Sequence, residues 1–203
     1  MRTSRVLGVL AALVLSCLVA VPAHSVDTRV DTRVDHRAPA AVTVANMAFG
    51  PSRVTVGVGE TVTWTFQDFT AHTATSDNGF FNTGSASGGV SRSVRFPSAG
   101  SFAYHCTFHS MMRGRVTVPM AATGSPKDGW KLRWLAGVNP KGRSYDVQVR
   151  RVGTTTWQKF RTGTTTGSGR FDPGSGKWQA RARTVKGSVA RSGWSPALTL
   201  PTS

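Results

Sequence analysis

The sequence predicts an all-β protein built as two successive sandwiches. Three observations carry that expectation: apolar residues recur at every second position in short runs, turn-forming residues separate the runs, and a Gly count of 22, with many Thr, Ser and Val, leans toward strands and turns. A chain of 203 residues holds one or two domains at roughly 100–200 residues each, enough to bury a real core. Charged residues at 17% and apolar residues at 39% are a globular mixture, and they argue against a coiled coil or helical bundle.

The segments follow in chain order. Arg2 and Arg5 precede an apolar run over residues 6–21, then Pro22-Ala23-His24-Ser25, which is the layout of a secretory signal peptide over residues 1–25. The run is short of the ~20 residues of a membrane span, and no later segment is apolar enough to cross one. Cleavage after Ala23 or Ser25 starts the mature chain near Val26. Arg5 has no Arg neighbour, so the signal is of the Sec type and not twin-arginine. Val14-Leu15-Ser16-Cys17 is similar to a lipoprotein processing site with a poor fit at Leu15, which keeps lipid anchoring at Cys17 as a minor alternative. Residues 26–40 open with VDTR-VDTR-VDHR, a charge-balanced repeat with no apolar face to bury, and read as a linker in which His36 is solvated.

Residues 41–119 form the first predicted sandwich. Val54/Val56/Val58, Val62/Trp64/Phe66, Val94/Phe96, Phe102/Tyr104/Cys106 and Val116/Val118 are half-buried strand signals. Turn chemistry at residues 57–60, 77–79, 84–89 and 97–100 separates them, so an antiparallel arrangement is expected. Residues 120–203 form the second, with residues 121–128 read as the linker into it. There Trp130/Leu132/Trp134, Tyr145/Val147/Val149 and Trp178/Ala180/Ala182 alternate with polar residues.

The formal net charge is +16, which predicts attraction to anionic polymers or membrane surfaces. It is unevenly held. Residues 41–120 carry five Arg against Glu60, Asp68 and Asp77, whereas residues 121–203 carry fifteen Lys plus Arg against three Asp. Arg181 and Arg183 alternate with Ala180 and Ala182 and should face outward, with Arg150 and Arg151 at the end of the Tyr145 run. That face is either a solvated surface or a site for anionic cell-wall polymers or lipid head groups. Nucleic acid fits the charge but not the export signal.

Only Cys17 and Cys106 are present. Once Cys17 leaves with the signal peptide, Cys106 is a lone cysteine in an oxidising compartment, and it is either a packed apolar thiol or a metal ligand. Its neighbours favour the ligand. Cys106, His109 and Met112 follow the spacing Cys-x2-His-x2-Met after an alternating strand, and a tight loop can bring all three onto one atom. His72, on the loop after the Val62/Trp64/Phe66 run, supplies a second imidazole from across the sandwich. A thiolate, two imidazoles and a weak thioether are the set that selects copper in a trigonal site with a long axial bond.

Residues 41–119 resemble the small type 1 copper proteins of the plastocyanin and amicyanin group, the cupredoxins. The residues that carry this are Phe49-x-Pro51-x-x-Val54-x-Val56-x-x-Gly59-x-x-Val62-x-Trp64, then His72-Thr73-Ala74-Thr75-Ser76, then Tyr104-His105-Cys106-Thr107-x-His109-x-x-Met112-Arg113-Gly114. The resemblance implies a Greek-key β-sandwich holding one type 1 copper, with His72, Cys106 and His109 as equatorial ligands and Met112 as axial ligand. His105 and Met111 stand in non-ligand positions. The short loop is like that of amicyanin. Where many members have Asn after the first His this chain has Thr73, which bears on the potential. The resemblance also implies electron exchange through the edge of His109, with Phe108, Met111 and Phe69 as an apolar ring for a redox partner.

Residues 120–203 resemble a fibronectin type III domain. Leu132-x-Trp134, Tyr145-x-Val147-x-Val149, Trp178-x-Ala180-Arg181-Ala182 and Gly187-Ser188-x-x-x-Ser192-Gly193-Trp194-Ser195-Pro196 carry this. Trp178 stands where that family has its corner tyrosine, the first strand is nearly absent, and no Arg-Gly-Asp triplet is present.

Together these features lead to an exported monomeric electron carrier, not an enzyme, in the periplasm or cell-wall space. Two alternatives remain open: a copper sequestration or delivery protein, and a surface adhesion module using the basic second domain. Five histidines, two of them His24 and His36, are too few for a multicopper oxidase.

Overall fold

The computed structural model describes residues 40–201, and among these there is no helix. The signal-peptide and repeat-linker readings lie outside the described residues, apart from Ala40, which opens the first strand.

Eight strands make the first sandwich. One sheet contains β1 (Ala40–Ala45), β2 (Ala48–Gly50), β4 (Thr61–Phe66) and β6 (Val90–Arg95) in the order β2-β1-β4-β6. The other contains β3 (Arg53–Thr55), β5 (Thr75–Ser76), β7 (Gly100–His105) and β8 (Arg113–Val118) in the order β3-β8-β7-β5. Alternation decides the layering. Val62, Trp64 and Phe66 of β4 are fully buried. Thr63 and Thr65 between them face out and meet the Ser93 and Ser91 hydroxyls of β6 at 2.8 and 2.9 Å. Phe102 and Tyr104 of β7 point inward from the other sheet. Tyr104 meets Phe49 and Trp64 edge-on at 4.8 and 5.5 Å between centroids, a geometry worth about 0.5–1.5 kcal/mol per pair beyond area burial.

The expected antiparallel arrangement holds only in part. β1 runs parallel to β4 and β3 parallel to β8. Alternation reports which face of a strand is buried, and says nothing of the direction of its partner.

The second group of strands has its own core around Trp130, Leu132, Trp134, Tyr145 and Val147. A three-stranded sheet orders β13 (Ser168–Phe171), β10 (Gly129–Arg133) and β9 (Ala121–Ser125). The facing sheet orders β12 (Gln158–Thr164), β11 (Arg143–Arg151), β14 (Trp178–Lys186) and β15 (Ala190–Arg191), with β16 (Leu198–Leu200) also on β14. Residues 121–125 are therefore a strand and not a linker. Their Ala, Thr, Gly and Ser composition looks like a linker, yet Ala121 and Ala122 are buried and the segment pairs along β10. Trp178 uses its indole N–H to bond the Ser175 carbonyl at 3.1 Å.

The two cores meet through a hydrogen-bonded junction. Ser101 and Gly193 exchange two backbone bonds, and the Ala99 N–H donates to the Trp134 carbonyl at 2.8 Å. The buried Thr184 hydroxyl donates to the Ala99 carbonyl at 3.0 Å and lies 2.8 Å from the Ser98 hydroxyl. Lys186 Nζ bonds the Gly79 carbonyl at 2.7 Å, and the Arg143 guanidinium lies 4.6 Å over the Phe80 ring. These contacts sit at the Ser101 end of β7. Cys106 follows its other end, about 17 Å along the strand at ~3.3 Å per residue.

Candidate metal centre

Each of the four expected ligand residues is placed by backbone pairing. β7 delivers Cys106 directly, continuing the inward alternation of Phe102 and Tyr104. The return to β8 is closed by three backbone bonds: Cys106 N–H to Met112 O at 3.1 Å, Met112 N–H to His109 O at 3.0 Å, and His109 N–H to Cys106 O at 3.4 Å. Gly114 lets this loop close, because a Cβ there would overlap the Tyr104 ring. His72 lies on the loop between β4 and β5, where reciprocal backbone bonds of 2.9 Å with Ala86 pin it.

This brings three donors together. Cys106 Sγ is 3.5 Å from His109 Nδ1 and 3.8 Å from His72 Nδ1. The three ligand atoms all lie within 4.8 Å of one another. Donors about 2.0–2.3 Å from a common ion stand roughly 3.3–4 Å apart in a tetrahedral or trigonal set, so the 3.5 and 3.8 Å separations from Cys106 Sγ suit one metal. Cys106 and His72 are buried and His109 is partly exposed. Met112 is 2% exposed and packs in the same core cluster as Cys106. A soft thiolate with two imidazoles is chemistry that fits copper, and the loop closure leaves these donors little freedom to rearrange.

The surroundings contain two residues that the sequence reading missed, Asp68 and Thr107, beside Thr73, which it had noted. Asp68 Oδ2 lies 3.1 Å from His72 Nε2, on the far side of the ring from Cys106. The Asp68 carboxyl is held below its usual pKa, first by the Asn46 backbone N–H; burial pushes the other way, and His72 and the Met47 N–H add to the lowering. Thr73 donates its N–H to Cys106 Sγ at 3.4 Å, and its hydroxyl accepts the Thr107 N–H at 3.0 Å. The spacing from Asp68 to His72 was readable, but nothing in it distinguished a buttress from a solvated loop carboxylate.

Phe69, Met111, Phe108 and Met47 are exposed apolar side chains on the loops of this pole, the first two more than 90% exposed. His105, a non-ligand in the sequence reading, pairs instead with Asp77 at 2.7 Å on the surface.

Far from this pole, the outer face of the β11–β14 pair is basic and aromatic. As β11 pairs β14, Gln148 lies opposite Arg181 and Asp146 opposite Arg183. The Arg181 guanidinium sits between the Trp157 and Trp194 rings, at 4.1 and 4.5 Å from their centroids, and Arg183 lies 4.6 Å from Trp194. Burial first, then the charges of Arg150 and Arg183, pull Arg181 below its ordinary pKa. A groove of about 460 Å³ beside this stack is lined by Lys159, Arg161, Arg183 and Arg191.

The sequence matches the family described as "Cupredoxin-like domain" over residues 9–118. It is 33% identical over 82 residues to amicyanin of Paracoccus denitrificans, an alignment covering 38% of this chain; the chain spans 63% of the length of that relative. Among solved structures it is similar to the reduced Cu(I) form of an amicyanin variant at pH 4, with 26% identity, 46% of this chain and 94% of that chain covered, and a TM-score of 0.38. It is also similar to the oxidized state of another amicyanin variant, with 30% identity, 39% and 81% covered, and a TM-score of 0.38.

Proposed function

The chain belongs to the cupredoxin-like domain family, and on that premise we propose that it is an exported mononuclear type 1 copper protein, an electron carrier and not an enzyme, working outside the cytoplasm. The observation that carries this reading is the convergence of Cys106 Sγ with His72 Nδ1 and His109 Nδ1. Copper bound there supplies a one-electron couple between Cu(I) and Cu(II). Cys106 would hold it as thiolate, His72 and His109 through Nδ1, and Met112 as the weak axial thioether. The backbone closure of residues 106–112 and the Thr73 N–H to Cys106 bond keep these donors in place across both oxidation states.

His109, the partly exposed imidazole, is the electron exit in this reading, with Phe69, Phe108 and Met111 forming the docking ring for a redox partner. Residues 41–119 are the cupredoxin domain and residues 120–203 a fibronectin type III-like domain. The second domain tethers the monomer to an anionic cell-wall polymer through its arginine and tryptophan face. A polymer suits that face better than a lipid surface, since guanidiniums cover the two Trp rings that would otherwise insert. Because the junction lies at the Ser101 end of β7, a tethered molecule presents His109 outward.

The test is a Cu(II) titration of the mature chain from Val26 followed by visible and EPR spectroscopy. An intense thiolate-to-copper band with narrow hyperfine splitting, saturating at one copper and bleached reversibly by a mild reductant, is expected. Colourless or irreversible binding overturns the type 1 reading. A blue site that holds Cu(I) and reoxidises slowly points to sequestration or delivery instead of electron transfer.

A further inference from the structure

Asp68 has no part in the ligand set, yet its carboxylate meets the ligand-loop imidazole of His72. His72 Nε2 lies 3.1 Å from Asp68 Oδ2, and the backbone N–H groups of Asn46 and Met47 lie close enough to favour its charged form. Those two residues form the turn between β1 and β2, closed by the Ala45 and Ala48 pair. Both are left-handed, with φ of 51° and 58°. A two-residue hairpin turn of this kind requires positive φ at both positions, which Asn tolerates and Met does not favour. This turn places both amides on the side of the Asp68 carboxylate. The backbone of Asp68 is fixed as well, its carbonyl accepting the Gly88 N–H at 2.7 Å. The carboxylate is therefore built into place before it meets His72.

The chemistry of the contact follows from what each atom can do. An ionised carboxylate only accepts, so His72 donates from Nε2 and keeps its lone pair on Nδ1, the atom facing Cys106 Sγ. We propose that Asp68 is a positioning residue that fixes this tautomer of His72 and, through the added negative charge on the far side of the ring, favours the oxidised over the reduced metal. The inference rests on the copper reading above. A carboxylate behind a ligating imidazole raises its basicity, and the more highly charged ion gains more from a more basic ligand. The Asp77 and His105 pair shows the same chemistry at 2.7 Å in the same domain but is not part of the donor set, which makes it a control.

The test uses the mature chain from Val26 with Asp68→Asn, Asp68→Ala and the control Asp77→Asn. In the metal-free protein, nitrogen NMR of His72 reads the tautomer directly. The native chain and Asp77→Asn should show one Nε2–H form, and Asp68→Ala a mixture with Nδ1–H. In the copper-loaded protein, Cu(II) affinity should fall 10–100-fold in both Asp68 variants while Cu(I) affinity stays within a few-fold. The midpoint potential should then rise by about 60–120 mV, at 59 mV per tenfold for one electron. Unchanged potentials in both Asp68 variants, or an unchanged tautomer in Asp68→Ala, overturn the proposal. The NMR arm needs no metal, so failure of the native chain to form a blue site sinks the copper reading without deciding the role of Asp68.

Discussion

Thr73 donates its backbone N–H to Cys106 Sγ at 3.4 Å, while its hydroxyl takes the N–H of Thr107, the residue after that cysteine, at 3.0 Å. The Thr73 and Thr107 hydroxyls also lie 3.2 Å apart, so one residue ties the His72 loop to the Cys106 loop through backbone and side chain alike. A bond from the Thr75 hydroxyl to Thr73 Oγ1 at 3.0 Å extends the network to β5. Thr73→Ala keeps the N–H to sulfur bond and strips the hydroxyl, leaving the Thr107 N–H without its acceptor. That should cost about 0.5–1.5 kcal/mol, since Thr107 is exposed and water can replace part of the bond, read as a lower Tm of the metal-free chain. Thr73→Ser should restore most of it. Equal stability of Thr73→Ala and the native chain would show that the hydroxyl bridge contributes nothing.

The donor set makes separable predictions for its two sulfurs. Cys106→Ser removes the thiolate and should abolish the intense visible band of the copper-loaded protein. If Met112 holds the weak axial place proposed for it, Met112→Leu should keep the band and shift the potential. A Cys106→Ser protein that stays blue contradicts the ligand assignment outright.

How much of this was legible in the sequence depends on the kind of contact. Cys106, His109 and Met112 fall within seven residues of one strand-and-loop unit, so alternation and spacing brought them together in advance. His72 was visible as the histidine on the loop after a strongly periodic strand. Asp68, Asn46 and Thr107 were not, because their roles arise where three loops distant in sequence meet. The same holds for β9: small residues carry little periodic signal, and only pairing along Trp130 and Leu132 makes residues 121–125 a strand. The junction escaped for a related reason, since the pairing of Ser101 with Gly193 leaves no local pattern.

Tyr104 predicts a pH dependence of stability. Its hydroxyl is buried without a hydrogen-bond partner among the described residues, and its pKa is pushed up to about 12 from 10.0. Burial is the main cause. The Trp64 indole N–H beside it pulls the other way, although no bond of acceptable geometry joins the two. Between these values the unfolded chain loses the tyrosine proton and the folded chain keeps it, so the contribution is fully present below pH 10 and lost as pH rises toward 12. About 2–3 kcal/mol goes over that window at 1.36 kcal/mol per unit. Denaturant titrations at stepped pH should show the loss in the native chain and a much flatter profile in Tyr104→Phe. The variant should also be no less stable than the native chain at neutral pH, since it removes a buried unpaired hydroxyl. An identical alkaline loss in both proteins rules Tyr104 out as its source.

Thr184 tests whether the two cores move as one. Its buried hydroxyl reaches the Ala99 carbonyl and the Ser98 hydroxyl across the junction. Thr184→Val preserves shape and strands both partners, at a cost of about 1–3 kcal/mol. NMR relaxation should give one tumbling time for both halves of the native chain and diverging times in the variant. Separate tumbling in the native chain would mean that the junction does not bind the halves rigidly.

The basic face separates charge from structure in a way the sequence alone did not suggest. Arg183 is tied to Asp146 at 2.9 Å and Arg181 to Gln148 at 2.7 Å while packed between two indoles, so reversing either charge disturbs the sheet as well as the potential. Lys159, Arg161 and Arg191 line the same groove from exposed positions. Reversing these three should lower the thermal transition only by what the Arg161 contact with the exposed side of the Phe160 ring contributes, about 0.5–1 kcal/mol, and sharply reduce retention on an immobilised poly(glycerol phosphate). Retention of the native chain should fall steeply from low to physiological salt, since exposed charges are screened beyond about 8 Å at 0.15 M. Binding to anionic vesicles in place of the polymer would move the tether to a membrane. Retention that persists in high salt or survives the triple reversal would show that charge is not what holds the polymer.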